Sequence, residues 1–411
     1  MNAGPWTRPR VMVVSRCTTS YGPSKGGADV IAQRHAVLLA QDADVVYVGT
    51  APIGGENIQN VPVRPRDLFP GSLRKGSYLA NEGMHVIQGA MAALQSEREF
   101  PVDLVVSNSS ISTVLLKILG RRPVVHYIHD GLYASDSSTA RRGLSNLANF
   151  VINSLIERLA IRLADKVICA SHGIANQAVS AGTPESKLTV MYPLLRRLER
   201  TVPKARGPLE TLSTPVRSYM PYLLSVGQQT GRKRFDLLIL TLRLLPERYR
   251  LVLVGDGPLH DSYRALAAGR GLGDRVVFLR SVNDEVLDVL YLHCAAFVLA
   301  SENEGFPISV AEALTRGRPA ILACPSADAL RAALANEYLT VLPDLSEFAL
   351  AEAITQTLQR DVDDPESNRR SIRRWARGAF PSEDQIRQDY DRIIRSVLEA
   401  GTASSPPMVT S

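Results

Sequence analysis

The sequence predicts an α/β protein made of two doubly wound parallel-sheet domains in tandem, and three observations carry that expectation. Short runs rich in β-branched residues alternate with helical stretches from residue 10 onward. Strands covered on both faces read as such unbroken apolar runs, and helical crossovers make them parallel. The alternation stops over 196–218, RRLERTVPKARGPLETLSTPVRS, which is polar, Pro-containing and without period, and it resumes at 222. That stretch is the expected linker. A chain of 411 residues is also long enough for two cores.

The elements follow in order. In the first half, strands are expected at RVMVVS (10–15), DVVYVG (44–49), VDLVVS (102–107), PVVHYIH (123–129), KVICAS (166–171) and LTVMYP (188–193). ADVIAQRHAVLLAQ is the first helix, reached through a Gly-rich loop. In the second half, YLLSVG, LVLVG, VVFL, AAFVLA, PAILA and LTVLP are strands, each followed by a helical stretch. The expected organisation is a first domain over 1–195, a linker over 196–218, a second domain over 219–381 and a terminal helix over 382–400. That helix opens on Ser382 at a cap position and is free to cross back to the first domain. Residues 401–411, GTASSPPMVTS, are expected to be disordered.

Composition narrows the function classes. With 45% hydrophobic and 21% charged residues, this is an ordinary globular protein, and no run reaches the length of a membrane-spanning helix. The N-terminal MNAGPWTRPRVMVVS lacks the order of a signal peptide, so a cytoplasmic site of action is expected. Cys17, Cys169, Cys294 and Cys324 are far apart and form no CxxC, which suggests neither a zinc site nor a disulfide framework. The net charge of +6 includes an Arg cluster at 369–377 but no basic stripe interleaved with aromatics. A phosphate-bearing ligand or an acidic membrane surface fits that pattern better than nucleic acid. Residues 141–164, RRGLSNLANFVINSLIERLAIRLA, mix Arg with a broad apolar stripe. It suits either core packing against a sheet, the commoner use of such a stripe, or peripheral contact with the inner face of a membrane.

One segment concentrates the chemistry: SENEGFPISVAEALTRGRPAI, residues 301–321. Pro307 suits a first helical position, Gly317 the residue past the end, and Pro319 forbids continuation, so a short helix is expected over about 307–316. Only Glu312 and Arg316 carry charge inside it, which marks it as an interior helix. A buried carboxylate needs hydrogen-bond donors, and the hydroxyls of a ribose or hexose would supply them. Pairing of Glu312 with an Arg, with Glu304 merely favouring the helix dipole, is the plainer alternative. In open parallel sheets ligands bind beyond the carboxyl ends of the strands. There the sequence collects Gly26 and Gly27, His129 and Asp130, Gly227 to Lys233, and Glu304.

The pattern Glu304-Gly305-Phe306-Pro307, with Glu312 eight positions after Glu304, resembles the E-x7-E signature of the retaining glycosyltransferases of family 4. SVG with Lys233 six residues on, LVGDGP at 253–258 and AAFVLAS before the first Glu support it. KGGAD at 25–29 and ADKVICAS at 164–171 match more loosely, so the resemblance covers about residues 10–395 and is stronger in the second half. It implies the GT-B fold: two Rossmann-like domains facing a cleft, with the donor nucleotide on the second and the acceptor mainly on the first. It further implies a hexosyl transfer from a UDP- or GDP-linked donor to a glycan, lipid-linked or small-molecule acceptor, without a metal or other cofactor. By position, Lys233 would hold the donor diphosphate with Gly227, Gln228 and Arg232 around it. Glu304 would bind the sugar hydroxyls, and the main chain of Gly305, Phe306, Pro307 and Ile308 would meet sugar and phosphate. Glu312 would accept from the ribose, His129 would sit near the anomeric carbon, and Gly26 and Gly27 would admit the diphosphate and acceptor. Plainer readings stand beside these: a helix cap for the glycines, a satisfied core residue for His129, a solvated charge for Lys233.

The chain also departs from the family. Gln228 stands where an Arg is usual, and CPSADALRAALA stands where a Gly pair is common. These departures sustain a second reading, a nucleotide-sugar-binding protein without turnover. Arg232, then Arg234, are the candidates to replace the missing cation. Two D-x-D strings, Asp42 to Asp44 and Asp361 to Asp363, are expected to serve turns or caps rather than a metal. GPSKG at 22–26 formally fits a nucleophile elbow with Ser24, a hydrolase reading that the intervening CTTSYG disfavours.

Overall fold

The computed structural model describes residues 8–16, 27–64, 66, 75–129, 144–196, 220–327, 334–360 and 365–403. The chain forms two compact units, Met1–Leu194 together with Ser382–Ser411, and Leu195–Pro381. Gly26, Asp130, Ser24, Cys17 and the string at 361–363 lie outside the described residues.

In the first unit the strands are β1 (Arg10–Val14), β2 (Asp44–Gly49), β3 (Ile58–Pro62), β4 (Leu104–Ser107), β5 (Val124–Ile128), β6 (Lys166–Cys169) and β7 (Leu188–Val190). They make one sheet in the order β3-β2-β1-β4-β5-β6-β7. Neighbours are parallel, with Val13 beside both Tyr47 and Val106. β1, β4 and β5 are buried along nearly their whole length, as apolar runs covered by helices must be. β3 escaped sequence reasoning because IQNVP is an edge strand, nowhere fully buried, and so carries no apolar run. Helices Gly27–Leu39, Lys75–Glu99, Ser110–Leu119, Leu144–Leu163 and His172–Ser180 connect the strands.

The last helix, Glu383–Ala403, belongs to this unit. Its start is a capping box: Gln385 N–H donates to Ser382 Oγ at 3.2 Å, and Ser382 N–H donates to Gln385 Oε1 at 2.7 Å. It runs to Ala403, so the first three residues of the expected disordered tail are helical instead. Arg387 holds Asp42 through two bonds of 2.7 Å, and Arg8 pairs with Asp44 at 3.2 Å. That D-x-D string is occupied by ion pairs. Buried Tyr390 meets His35 Nδ1 at 2.7 Å, while Leu194 N–H donates to His35 Nε2 at 3.2 Å. His35 thereby ties the first helix, the chain leaving the unit and the helix that returns to it.

Two histidines make this unit acid-sensitive. Burial holds His35 well below its ordinary range, with the positive neighbours His129 and Arg34 adding to the effect. Burial lowers His126 to about 4 against a weaker raising effect of Ser107, and Thr113 Oγ1 lies 2.8 Å from its Nδ1. A depressed folded pKa means that the unfolded chain takes up protons first. The stability is complete above about pH 6.5 and falls as pH drops toward 4, by roughly 3 kcal/mol for His126. Urea midpoints measured from pH 7 to 4 are expected to fall, and to fall less steeply in His126→Asn. An unchanged slope would remove His126 from the account.

The second unit repeats the plan with β8 (Tyr222–Val226), β9 (Arg250–Val254), β10 (Val276–Leu279), β11 (Ala296–Ala300), β12 (Ala320–Ala323) and β13 (Leu339–Leu342). Their order is β10-β9-β8-β11-β12-β13, parallel throughout. Leu223, Leu251, Leu253, Val298 and Ile321 from the sheet pack with Phe235, Leu238, Leu350 and Ile354 from helices Phe235–Thr241 and Glu347–Arg360. The Arg-rich 365–379 is a helix, Pro365–Ala379, packed on the short helix Ile308–Thr315. In each sheet the first strand lies between the second and the fourth of its unit, and the chain departs to opposite sides there. Such a switch point opens a crevice at the carboxyl ends of those two strands.

Candidate functional site

The switch point of the second unit lies between β8 and β11, which are paired neighbours. β8 ends at Val226 and leads through Gly227, Gln228 and Gln229 into a single 3-10 turn, Gly231–Lys233. β11 ends at Ala300 and leads into Ser301–Pro307. Two loops leaving adjacent strand ends must meet. Lys233 Nζ donates to Glu304 Oε1 at 2.5 Å, with side-chain exposures of 13% and 6%. Lys233 is therefore no solvated loop charge, and Glu304 does more than favour a helix dipole. Arg232 Nη1 lies 3.8 Å from the same carboxylate oxygen and donates to Asn303 O at 2.7 Å.

Burial alone would raise the pKa of Glu304, but the charges of Lys233 and Arg232 and the hydrogen bond from Lys233 outweigh it. The carboxyl is held below its usual range and stays ionised near neutrality. Several bonds missed by sequence reasoning hold this loop. Glu302 N–H donates to Arg232 O at 2.9 Å, Ser301 Oγ donates to Asn303 O at 3.0 Å, and Ser326 Oγ bonds Asn303 Oδ1 at 2.7 Å. Glu304 N–H donates to Ser326 Oγ at 3.3 Å. Ser326 lies in the atypical CPSADALRAALA segment, and only its position beside the other loop reveals its use.

A second brace holds the Gly227 loop from β9. Gly227 N–H donates to Val254 O and Gln229 N–H to Asp256 O, both at 2.9 Å. Gln229 is wholly buried, with Nε2 on Gly255 O at 2.5 Å and Oε1 taking His260 Nδ1–H at 3.1 Å. The two backbones touch: a Cβ on Gly255, whose φ is +131°, would lie 2.0 Å from Gly227 O. The atoms nearest to a Cβ on Gly227 would be Lys233 methylenes at 3.7–3.8 Å. Gly255→Ala is accordingly expected to destabilise the protein by at least about 3 kcal/mol, and Gly227→Ala by under about 1 kcal/mol. Equal unfolding midpoints for the two variants would contradict this packing.

Glu312 lies in the helix Ile308–Thr315, one residue shorter at each end than expected, with Pro307 at the N-cap rather than inside. The backbone reason is that Pro307 has ψ of 81°, outside the helical range. Glu312 is 5% exposed, and buried Tyr291 points its hydroxyl at Oε2 from 3.5 Å. Burial and the Glu312 charge push the Tyr291 phenol well up, so it remains a donor. Arg316 is fully buried and spends its guanidinium elsewhere. Nε and Nη2 reach Asp288 Oδ1 at 2.7 and 2.5 Å, and Nη1 reaches the main-chain oxygen of Glu312 at 3.0 Å. Asp288 also receives Arg196 Nη2 at 2.7 Å. Phe306 is buried edge-on against Phe380, which leaves its main chain to do any ligand work.

In the first unit, the ends of β1, β4 and β5 gather Ser15, Asn108 and His129. Asn108 Nδ2 donates to Val14 O at 3.1 Å, so its Oδ1 faces His129 Nε2 at 2.7 Å. His129 Nε2 therefore donates its proton to Asn108 Oδ1. The ring lies 4.2 Å from that of Tyr127 and is only partly buried. Gly27 begins the first helix, and its Asp29 accepts from Ser15 Oγ and, at 3.0 Å, from Arg16 N–H. Asn108 did not stand out in the sequence, because a lone Asn at a strand end reads as a turn residue. Among the described residues no group of three or more His, Cys, Asp or Glu is arranged to hold a metal.

Residues 25–195 match the family described as Glycosyltransferase Family 4, and residues 214–375 match Glycosyl transferases group 1. The uncharacterized glycosyltransferase MJ1607 of Methanocaldococcus jannaschii is 28% identical over 219 residues, 50% of this chain and 53% of that protein. The chain thus spans about half the length of that relative. The N,N'-diacetylbacillosaminyl-diphospho-undecaprenol alpha-1,3-N-acetylgalactosaminyltransferase of Campylobacter jejuni is 23% identical over 264 residues, 62% of this chain and 67% of that enzyme. The crystal structure of Anabaena Alr3699/HepE in complex with UDP and glucose superposes with a TM-score of 0.68 at 17% identity, covering 95% of this chain and 100% of that one. Two parallel-sheet units of this kind constitute the GT-B fold, and with both family matches lying one on each unit, the chain belongs to the family 4 glycosyltransferases.

Proposed function

We propose that the protein is a retaining hexosyltransferase that uses a UDP- or GDP-linked donor. The observation that carries this reading is the buried pair of Lys233 and Glu304 at 2.5 Å, at the end of the two strands that flank the switch point. A cation and a carboxylate held there suit two adjoining parts of a nucleotide sugar: an ammonium for the diphosphate, a carboxylate for the hydroxyls of the hexose. Glu312 takes the ribose hydroxyls, with the Tyr291 phenol at its other side. In the transfer, the bond between the anomeric carbon and the diphosphate oxygen breaks and one to the acceptor oxygen forms on the same face. The acceptor proton passes to the departing phosphate oxygen, and Lys233 and Arg232 stabilise the charge that develops there. The acceptor is a glycan, a lipid-linked sugar or a small molecule, and a lipid-linked one would be met at the inner face of a membrane. The C. jejuni relative, whose name specifies a diphospho-undecaprenol substrate, supports that class.

The second reading, binding without turnover, rests on Gln228 in place of the usual Arg. Incubation of the purified chain with a panel of nucleotide sugars, watching for product and for slow donor hydrolysis, separates the two. Release of nucleoside diphosphate from one donor, abolished in Glu304→Gln, is the expected result. Saturable nucleotide-sugar binding with no turnover under any acceptor would favour the second reading, and no binding at all would overturn both.

A further inference from the structure

We propose that the outer surface of three neighbouring helices in the first unit is a docking face for an anionic lipid bilayer. Right-handed crossovers put the helices linking β3 to β4, β4 to β5 and β5 to β6 on one face of the sheet. These are Lys75–Glu99, Ser110–Leu119 and Leu144–Leu163, and the second packs against both others. Their exposed sides are outward by necessity, since the sheet covers the inner ones. Of the thirteen large hydrophobic side chains exposed among the described residues, eight lie on these three helices: Ile87 and Met91, Ile118 and Leu119, and Val151, Ile152, Leu155 and Leu159. That concentration is not the scatter of a typical surface.

The pairs on the first and third helices stand at matching heights. Ile87 and Met91 lie about three and two turns before the end of their helix, and Val151 and Leu155 lie equally far before Leu163. Ile118 and Leu119 close the middle helix between them and are 62% and 56% exposed. Ser154, Ala160 and Ile161 on the opposite side of the third helix are buried. The apolar stripe over 141–164 is therefore only partly a packing face, contrary to the commoner use of such stripes, and 141–143 lie outside the described residues.

Charge identifies the occupant. Arg98, Arg121, Arg158 and Arg162 are exposed at the same ends of the helices. Of the nearby acids, Glu97 is taken by Arg122 at 3.1 Å and Asp165 by Lys117 at 2.8 Å, and Glu99 is exposed beside Arg98. Apolar side chains rimmed by guanidinium groups match the acyl boundary and the anionic headgroups of a bilayer. A second copy of the chain would bring these cations onto one another. The helices lie on the membrane rather than cross it: no described helix is long and apolar enough to span.

Co-sedimentation of the full chain with vesicles tests this independently of the transferase reading, because no substrate is needed. Binding to phosphatidylcholine–phosphatidylglycerol vesicles, weaker in high salt and absent from pure phosphatidylcholine, is the expected result. Ile152→Glu with Leu155→Glu, and separately Ile118→Glu, should weaken it at least about tenfold while thermal unfolding stays unchanged, since these positions are solvent-exposed. Arg121→Glu with Arg162→Glu should weaken it and flatten the salt dependence. No binding at low salt, or binding indifferent to both apolar variants, would overturn the proposal. So would a stable dimer in sedimentation velocity that the same substitutions dissolve, which would make the face an interface between copies.

Discussion

Lys233→Ala is expected to lower kcat/KM for glycosyl transfer at least about a hundredfold, a loss of roughly 2.7 kcal/mol of transition-state stabilisation. The ammonium sits at the carboxyl end of β8, where the developing negative charge of a leaving diphosphate would lie. It also has a structural task, because Glu304 is 6% exposed and Lys233 is its nearest cation, at 2.5 Å against 3.8 Å for Arg232. Removing one member of a buried pair leaves the other charge desolvated, which costs about 3–5 kcal/mol at a fully buried site, and Arg232 should offset part of it. Glu304→Gln should cost less: it leaves the Lys233 ammonium without its counter-ion, but that side chain is 13% exposed and the Gln amide oxygen can still accept from it. Turnover should still fall at least about a hundredfold, because the hexose loses an ionised acceptor. The double variant is therefore expected to be more stable than Lys233→Ala alone and no more active. Urea unfolding beside kcat/KM for the three proteins checks this, and near-normal turnover by either folded single variant would withdraw the site.

Arg232→Ala should cost about 2–3 kcal/mol of transition-state stabilisation, while Arg234→Ala should cost little. The two residues are adjacent, yet the structure commits them differently. Arg234 has φ of +39° and grips Asp236 through Nε at 3.1 and 3.2 Å and Nη2 at 2.9 Å, which also raises its pKa. Its guanidinium is occupied beside the start of the helix Phe235–Thr241. Arg232 instead reaches across to the Asn303–Glu304 loop, with a 27% exposed side chain that a phosphate could approach. Gln228 brings no charge to this loop, so Arg232 is the cation placed to complement Lys233. Kinetics of Arg232→Ala, Arg234→Ala and Gln228→Arg decide the matter. A harmless Arg232→Ala together with a large gain in Gln228→Arg would show that the missing charge was never replaced.

Periodicity alone was enough to read the two halves, because strands buried on both faces leave apolar runs that survive any detail of packing. RVMVV, LVLV and AFVLA each became a parallel strand. The edge strand IQNVP left no such trace. Gly317, with φ of +77°, ends the short helix as its sequence implies. The spacing of Glu304 and Glu312 likewise set one carboxylate before that helix and one inside it. What partners those carboxylates was beyond reach of the sequence. Lys233 and Glu304 are 71 residues apart, and they meet only because β8 and β11, separated by two strands in the chain, are neighbours in the sheet. The same is true of Ser326 on Asn303, Gln229 against Gly255 and His129 on Asn108. Nor could the stripe over 151–159 be resolved into packing or exposure, since the same apolar stripe serves a sheet or a bilayer. Local propensity and pattern are properties of a few consecutive residues and are written in the chain; charge pairing, backbone contact and the choice of which face stays open depend on long-range neighbours, and those were decided by strand order.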